Sequence, residues 1–152
     1  MTEQKESGKT AHRVSLRVLY GDTDAGGVVY YANYLRYFEF GRTELMRELV
    51  VPYAELQESG LILPVVECHC RYKASARYDD QLIVETVLSE VKPVSCRFDY
   101  RLLHADSGRL LAHGYTVHVV VDDNGKLKRI PAELQERLIN VCESQLAVTE
   151  IS

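Results

Sequence analysis

No apolar run in the 152-residue chain reaches the length of a bilayer-spanning helix, so no membrane span is expected. Basic residues are not in surplus either. A formal net charge of −4 argues against a general nucleic-acid binder, and no nucleic acid is expected as partner. The opening residues, MTEQKESGKTAHR, lack the apolar core of a secretory signal. Residues 1–12 are expected to form a flexible tail, and the protein to be cytoplasmic. Cysteine is sparse: Cys68, Cys70, Cys96 and Cys142 include no second pair at metal-ligand spacing. Cys68 and Cys70 stand two apart on an expected strand, which sends both to one face and His69 to the other. They read as buried reduced thiols, with no metal and no bound cofactor expected. Repeats, low-complexity tracts and internal linkers are absent too. What remains is one domain over residues 13–146, with a tail at 147–152.

Hydrophobic residues at 46% and charged residues at 26% suffice for the core of one globular domain. Arg13 to Tyr20 reads as a first strand. From about Asn33 to Val50 the apolar residues Tyr34, Phe38, Gly41, Leu45 and Leu49 recur at helical spacing, and Pro52 stops the helix. Glycine inside that stripe costs about 1 kcal/mol of helix stability against alanine. Its expected use is close approach of the helix backbone to a sheet. Four strand candidates follow, at Leu63–Ser75, Gln81–Lys92, Val94–His104 and Leu110–Val121. Polar turns separate them, which predicts an antiparallel meander. Pro131 suits the start of a final helix, with Leu134, Leu138, Ile139 and Cys142 on its apolar side. The fold class is therefore α+β.

The most informative segment runs from Tyr20 to Arg42, YGDTDAGGVVYYANYLRYFEFGR. A strand-like run passes through an acidic loop, whose two glycines can take positive φ, into the long helix. Asp24 stands a few residues before the helix N-terminus, whose free N–H groups can hold developing negative charge. A carboxylate opposite an oxyanion site is the minimum equipment for hydrolysing a reactive acyl compound. Loop chemistry alone equally allows Asp24 to order the loop through Asx hydrogen bonds. Asp22 reads as a turn or pairing residue, Tyr30 and Tyr34 as packing residues, and Asn33 as a helix cap.

The run Asp22-Thr23-Asp24-Ala25-Gly26-Gly27-Val28-Val29-Tyr30-Tyr31-Ala32-Asn33-Tyr34, with the later turn Ser75-Ala76-Arg77-Tyr78-Asp79-Asp80, closely resembles the hotdog-fold thioesterases. The similar branch is the 4-hydroxybenzoyl-CoA thioesterase family, including the acyl-CoA thioesterases associated with the Tol–Pal system. The resemblance covers roughly Arg13 to Leu138. It implies a five-stranded antiparallel curved sheet wrapped around one long helix, with a short C-terminal helix. It also implies hydrolysis of an acyl-CoA to free acid and CoA, without metal or cofactor.

By the same resemblance Asp24 is catalytic, as nucleophile or general base, and the backbone N–H of Tyr31 polarises the thioester carbonyl. Many Tol–Pal-type members carry His where this chain has Tyr31, so an imidazole proton shuttle is unavailable here; the 4-hydroxybenzoyl-CoA enzymes are similar in having Tyr. Lys92 and Ser95 match positions near coenzyme A, while Arg71, Lys73 and Arg77 form a second basic stripe. A homodimer or homotetramer is expected, partly because a sheet of this size exposes an edge. Glu39 is an alternative acid, because another hotdog branch carries its carboxylate on the long helix; three positions before Arg42, it also suits a helix ion pair. His104, His113 and His118 are read as structural or solvent-facing. The rivals are a dehydratase acting on acyl carrier protein substrates, whose His the loop lacks, and a non-catalytic acyl-CoA sensor. The acyl group is open between aromatic and aliphatic.

Overall fold

A computed structural model describes the backbone of residues 11–151 and the side chains of residues 11–145. Most of the expected N-terminal tail lies outside the described residues. Strand β1 (His12–Arg17) leads through a 3₁₀ turn (Tyr20–Asp22) and a loop into helix α1 (Asn33–Leu45), which continues as a π-helical turn (Met46–Val50). Val51 is extended, as the residue before Pro52 must be, and the helix ends there. A short helix α2 (Tyr53–Glu58), not expected from sequence, precedes β2 (Val65–Tyr72), β3 (Gln81–Val91), β4 (Ser95–His104) and β5 (Leu110–Val119).

All five strands pair antiparallel in one sheet of order β1-β3-β4-β5-β2. Only β3, β4 and β5 form a meander; β2 crosses the sheet to pair with β5 and becomes an edge, which corrects the four-strand meander. The reason lies in the segment between β2 and β3, which is a bound bridge rather than a hairpin turn. Ala76 C=O accepts from Val29 N–H at 2.8 Å, and Asp80 C=O from Val18 N–H at 2.9 Å.

Helix α1 lies in the concave face of this sheet. Phe38 is fully buried and stacks on Tyr100 of β4 with centroids 4.5 Å apart. Leu45, Met46, Leu82, Val84, Leu88, Phe98 and Leu102 complete the centre of the core. Burying each such side chain stabilises the fold by about 1.5–3 kcal/mol. Gly41 brings the helix against the sheet as expected, since a Cβ there would lie 2.5 Å from both Val84 Cγ1 and Thr86 Oγ1.

Helix α3 (Ala132–Ile151) begins where Pro131 C=O accepts from Gln135 N–H. It buries Leu134, Leu138 and Cys142, with Ile139 half-buried. Pairing of β1 with β3 ends at His12–Thr86, and beyond it Gln145 Oε1 accepts the Leu88 N–H at 2.8 Å. The helix thus takes over a sheet edge that β1 leaves open. It runs on through 147–151, the stretch expected as a tail, because neither glycine nor proline follows Pro131 to stop it.

Candidate active site

The acidic loop is held at its base by Asp22. This carboxylate is 7% exposed and accepts from Leu19 N–H at 3.1 Å and Tyr37 O–H at 2.9 Å, with Arg36 Nη1 at 3.4 Å. Burial, then Asp22 beside it, raises the Tyr37 phenol well above its ordinary range, so Tyr37 stays a donor. The Asp22 carbonyl accepts twice, from Tyr30 N–H and from Asn33 Nδ2, both at 2.9 Å. Asn33 therefore does not cap α1. It already lies inside the helix, where its amide ties the two arms of the loop together, and the N-cap position falls to Ala32.

Asp24 stands at the turn of the loop and is exposed. Its N–H donates to Val28 C=O at 2.8 Å, and its Oδ1 accepts from Gly26 N–H at 2.8 Å and Val28 N–H at 3.4 Å. The carboxylate thus orders the loop as an Asx turn, and Oδ2 is outside that pattern. Of the two loop glycines only Gly27 takes positive φ, +80°.

Tyr31 occupies the second position of the turn Tyr30–Asn33, closed by Asn33 N–H on Tyr30 C=O at 2.9 Å. The Tyr31 N–H finds no acceptor among the described residues, whereas its carbonyl accepts from Tyr72 O–H of β2 at 2.9 Å. Burial pushes the Tyr72 phenol up to about 12, so it remains a donor. Tyr34 is a packing residue as read from the sequence, 3% exposed, with its hydroxyl accepting from Ala76 N–H at 3.0 Å. Its ring meets Tyr72 edge-on at 5.0 Å. Tyr30, Tyr31 and Tyr72 keep 45%, 62% and 45% of their surface exposed, forming an aromatic patch beside the β2 edge.

Between α1 and β2 lies a pocket of about 290 Å³ lined by Leu35, Arg36, Glu39, Arg42, Val65, Cys68 and Thr116. A bulge between Val65 and Glu67 puts Val65, rather than Val66, on the face shared with Cys68. Glu39 pairs with Arg42 at 3.6 Å and is exposed, which is the geometry of the helix ion pair. All four cysteines are free. Cys96 and Cys142 are buried, Cys70 is half-buried, and Cys68 is exposed because none of the described residues covers β2 there. Burial raises the thiols of Cys70, Cys96 and Cys142, with Cys96 at about 12, so they stay protonated and are poor nucleophiles. His118 is fully buried between Leu63 C=O and Thr116 Oγ1, and burial lowers it to about 4. It is structural and neutral. His104 meets Asp80 and Ser107, and His113 faces Lys73 and Arg71.

Lys92 and Ser95 form the turn after β3, at the opposite end of that strand from the Asp24 loop. Eleven residues of strand separate the ends, about 35 Å. The fold of the chain does not bring them to Asp24, and Lys92 pairs with Glu90 at 3.0 Å. Arg77 lies beside the loop, bridging Val28 through backbone pairing. Two site residues escaped the sequence reading. Tyr72 belongs to a strand whose edge position sequence does not reveal. Arg42 carried a usable signal, standing four residues after Phe38 on the apolar stripe of the helix.

Residues 18–138 match the Thioesterase-like superfamily. The acyl-CoA thioesterase YbgC of Haemophilus influenzae is 42% identical over 116 residues, covering 76% of this chain and 83% of that protein. Among solved structures, a hypothetical protein from Aquifex aeolicus superimposes with a TM-score of 0.78 at 33% identity, covering 83% of this chain and 98% of that one. A gentisyl-coenzyme A thioesterase superimposes with a TM-score of 0.75 at 28% identity, covering 81% and 98%.

Proposed function

The chain belongs to the thioesterase-like superfamily with a hotdog fold, and from that premise we propose that it is an acyl-CoA thioesterase, hydrolysing its substrate to free acid and CoA, with Asp24 and the Tyr31 N–H as its catalytic groups. The observation that carries the assignment is the Tyr31 N–H, which has no acceptor among the described residues although its own carbonyl is doubly used. Such a donor at a helix start is ready for the oxygen of a thioester carbonyl, and becomes more valuable as that oxygen gains charge.

A thioester carbonyl is already electrophilic, so the demand on the protein is modest. In the general-base route Asp24 takes a proton from water as the water oxygen attacks the carbonyl carbon. The C–S bond then breaks, and the departing thiolate recovers the proton. In the nucleophilic route an Asp24 oxygen attacks first, CoA leaves as thiolate, and water opens the mixed anhydride. The Tyr31 N–H serves the tetrahedral oxyanion in both.

The working unit is a homodimer closed through β2. Its residues are exposed on both strand faces, including Val65, Val66 and Tyr72, and an edge of eight residues with this apolar content is a template for a second copy. Pairing there would roof the aromatic patch beside Tyr31 and shield the carbonyl from bulk solvent while admitting the reacting water. Lys92 and Ser95 would serve coenzyme A only from a neighbouring copy, while Arg77 is placed to meet its phosphates locally.

The test is Asp24→Asn. Asparagine keeps the Oδ1 acceptor of the Asx turn, so the loop stays ordered while the basic charge is lost. Thiol release from an acyl-CoA should fall at least a hundredfold with little change in Tm. Near-normal turnover would limit Asp24 to loop ordering.

A further inference from the structure

The two ends of the Tyr30–Tyr31 peptide are treated differently. Its carbonyl accepts from Asn33 N–H at 2.9 Å, while its N–H, that of Tyr31, meets no acceptor among the described residues. In a trans peptide the C=O and N–H bonds share one plane and point in opposite directions, so whatever holds the carbonyl also aims the N–H. Asn33 provides a second hold. Its side-chain Nδ2 donates at 2.9 Å to Asp22 C=O, the same oxygen that accepts from Tyr30 N–H at 2.9 Å. These hydrogen bonds close a ring among Asp22, Tyr30 and Asn33, with both backbone polar groups of Tyr30 inside it. The other side of the Asn33 amide is also engaged, since Oδ1 accepts from Arg36 Nη1 at 3.3 Å. With a carbonyl on one side and a guanidinium on the other, the amide fits in one orientation. The ring rests on a firm base, because the buried Asp22 carboxylate is bonded to Leu19 N–H and Tyr37 O–H.

We propose that Asn33 is the positioning residue of the oxyanion donor: its side chain holds the Tyr30–Tyr31 peptide in the orientation that presents the Tyr31 N–H to the thioester oxygen. This rests on the acyl-CoA thioesterase reading and deepens it. Helix formation does not account for an asparagine at the first position of α1. Alanine is the better helix former, and the Asn33 side chain caps no N–H of the helix. A peptide plane reorients by opposite rotations about the bonds on its two sides, with little displacement of the chain beyond. Such a turn of the Tyr30–Tyr31 plane would carry the N–H away from the site and put the carbonyl in its place, against the developing negative charge. The Asn33 N–H opposes that turn only while residue 33 itself stays fixed, and it belongs to the first turn of a helix, where ends fray. Tying its side chain to Asp22 across the loop removes that freedom. A donor fixed in advance needs no reorganisation as the oxyanion forms, so its value appears in the transition state. The ground-state carbonyl carries less charge, which leaves KM little affected.

The experiment follows CoA thiol release from acetyl-, octanoyl- and benzoyl-CoA, using the best of the three. Asn33→Ala removes the tie to Asp22 and keeps the Asn33 N–H, so kcat should fall by about tenfold or more while KM stays within about threefold. A general loosening of the loop would lower kcat as well, and a double-mutant cycle separates the two causes. In a Tyr31→Ala background, which keeps the N–H, adding Asn33→Ala should again cost about tenfold or more. In a Tyr31→Pro background no N–H is left to aim, and the same addition should cost less than about threefold. Single turnovers with enzyme in excess keep the slow variants measurable. Should Asn33→Ala not fold, Asn33→Asp serves in both backgrounds, because it keeps an acceptor for Arg36 and loses the donor to Asp22. A single variant within threefold of wild type, or an equal loss in the two backgrounds, overturns the positioning role. Tyr31→Pro as fast as Tyr31→Ala removes the N–H as oxyanion donor, and no thiol release by the wild type removes the thioesterase reading; the positioning role falls with either.

Discussion

Replacing Tyr31 by proline removes the N–H hydrogen from the proposed oxyanion site, together with the tyrosine ring. Tyr31 is the second residue of a turn whose third residue, Ala32, has φ −67° and ψ −22°. Proline is favoured at that second position, where φ near −60° is required. The Tyr31 N–H donates to no described acceptor, so its loss breaks no native hydrogen bond. The carbonyl, which holds Tyr72 O–H and Tyr34 N–H, is untouched. Tyr31→Ala is the matched control, because it deletes the same ring contacts with Tyr30 and Tyr72 yet keeps the N–H. In other hydrolases one oxyanion donor is worth about 2.7–4 kcal/mol, which at 1.36 kcal/mol per decade corresponds to about 10²–10³ in kcat. Thiol trapping after mixing with an acyl-CoA gives the rate directly, and thermal unfolding of both variants checks that the turn survives. Tyr31→Pro turning over within threefold of Tyr31→Ala, with comparable Tm, would refute the assignment of this N–H.

Gly41→Ala should destabilise the protein by about 1–3 kcal/mol, despite the better helix propensity of alanine, because Val84 and Thr86 on a central strand would have to retreat; a higher Tm would contradict the close approach. Asp22→Ala leaves Leu19 N–H and the buried Tyr37 hydroxyl without their acceptor and should cost about 2–3 kcal/mol in urea unfolding; an unchanged midpoint would mean that the loop does not depend on this carboxylate. His118 is held neutral by burial, with its folded value near 4 against 6.5 when unfolded, so the unfolded chain binds the extra proton first. Its contribution is complete above pH 6.5 and is lost as pH falls toward 4, by up to about 3 kcal/mol. His118→Gln should flatten stability against pH in that window, and an identical slope would show that another group titrates there.

The comparison of α1 with the strands shows which information is local. The helical period of Tyr34, Phe38, Gly41 and Leu45, the stop at Pro52 and the alternation of Cys96, Phe98, Tyr100 and Leu102 are written in neighbouring residues, and the corresponding elements form where that pattern places them. The loop motif likewise carries its own turn chemistry, with Asp24 accepting from Gly26 within three residues. Asn33 shows the limit. A residue type that prefers the cap position lies one step inside the helix, because the loop carbonyl of Asp22 needs its amide.

What the amino-acid order determined by itself is the set of elements, the acidic loop ahead of the long helix, and the pairing of Glu39 with Arg42, all of which depend on contacts a few residues apart. Tertiary structure alone decided that β2 leaves β3 for the far edge of the sheet, that Tyr72 reaches the carbonyl of Tyr31, and that Lys92 and Ser95 lie a strand's length from Asp24. Each of these joins residues tens of positions apart, and such meetings depend on which edges and cavities remain once the core around Phe38 and Tyr100 has closed.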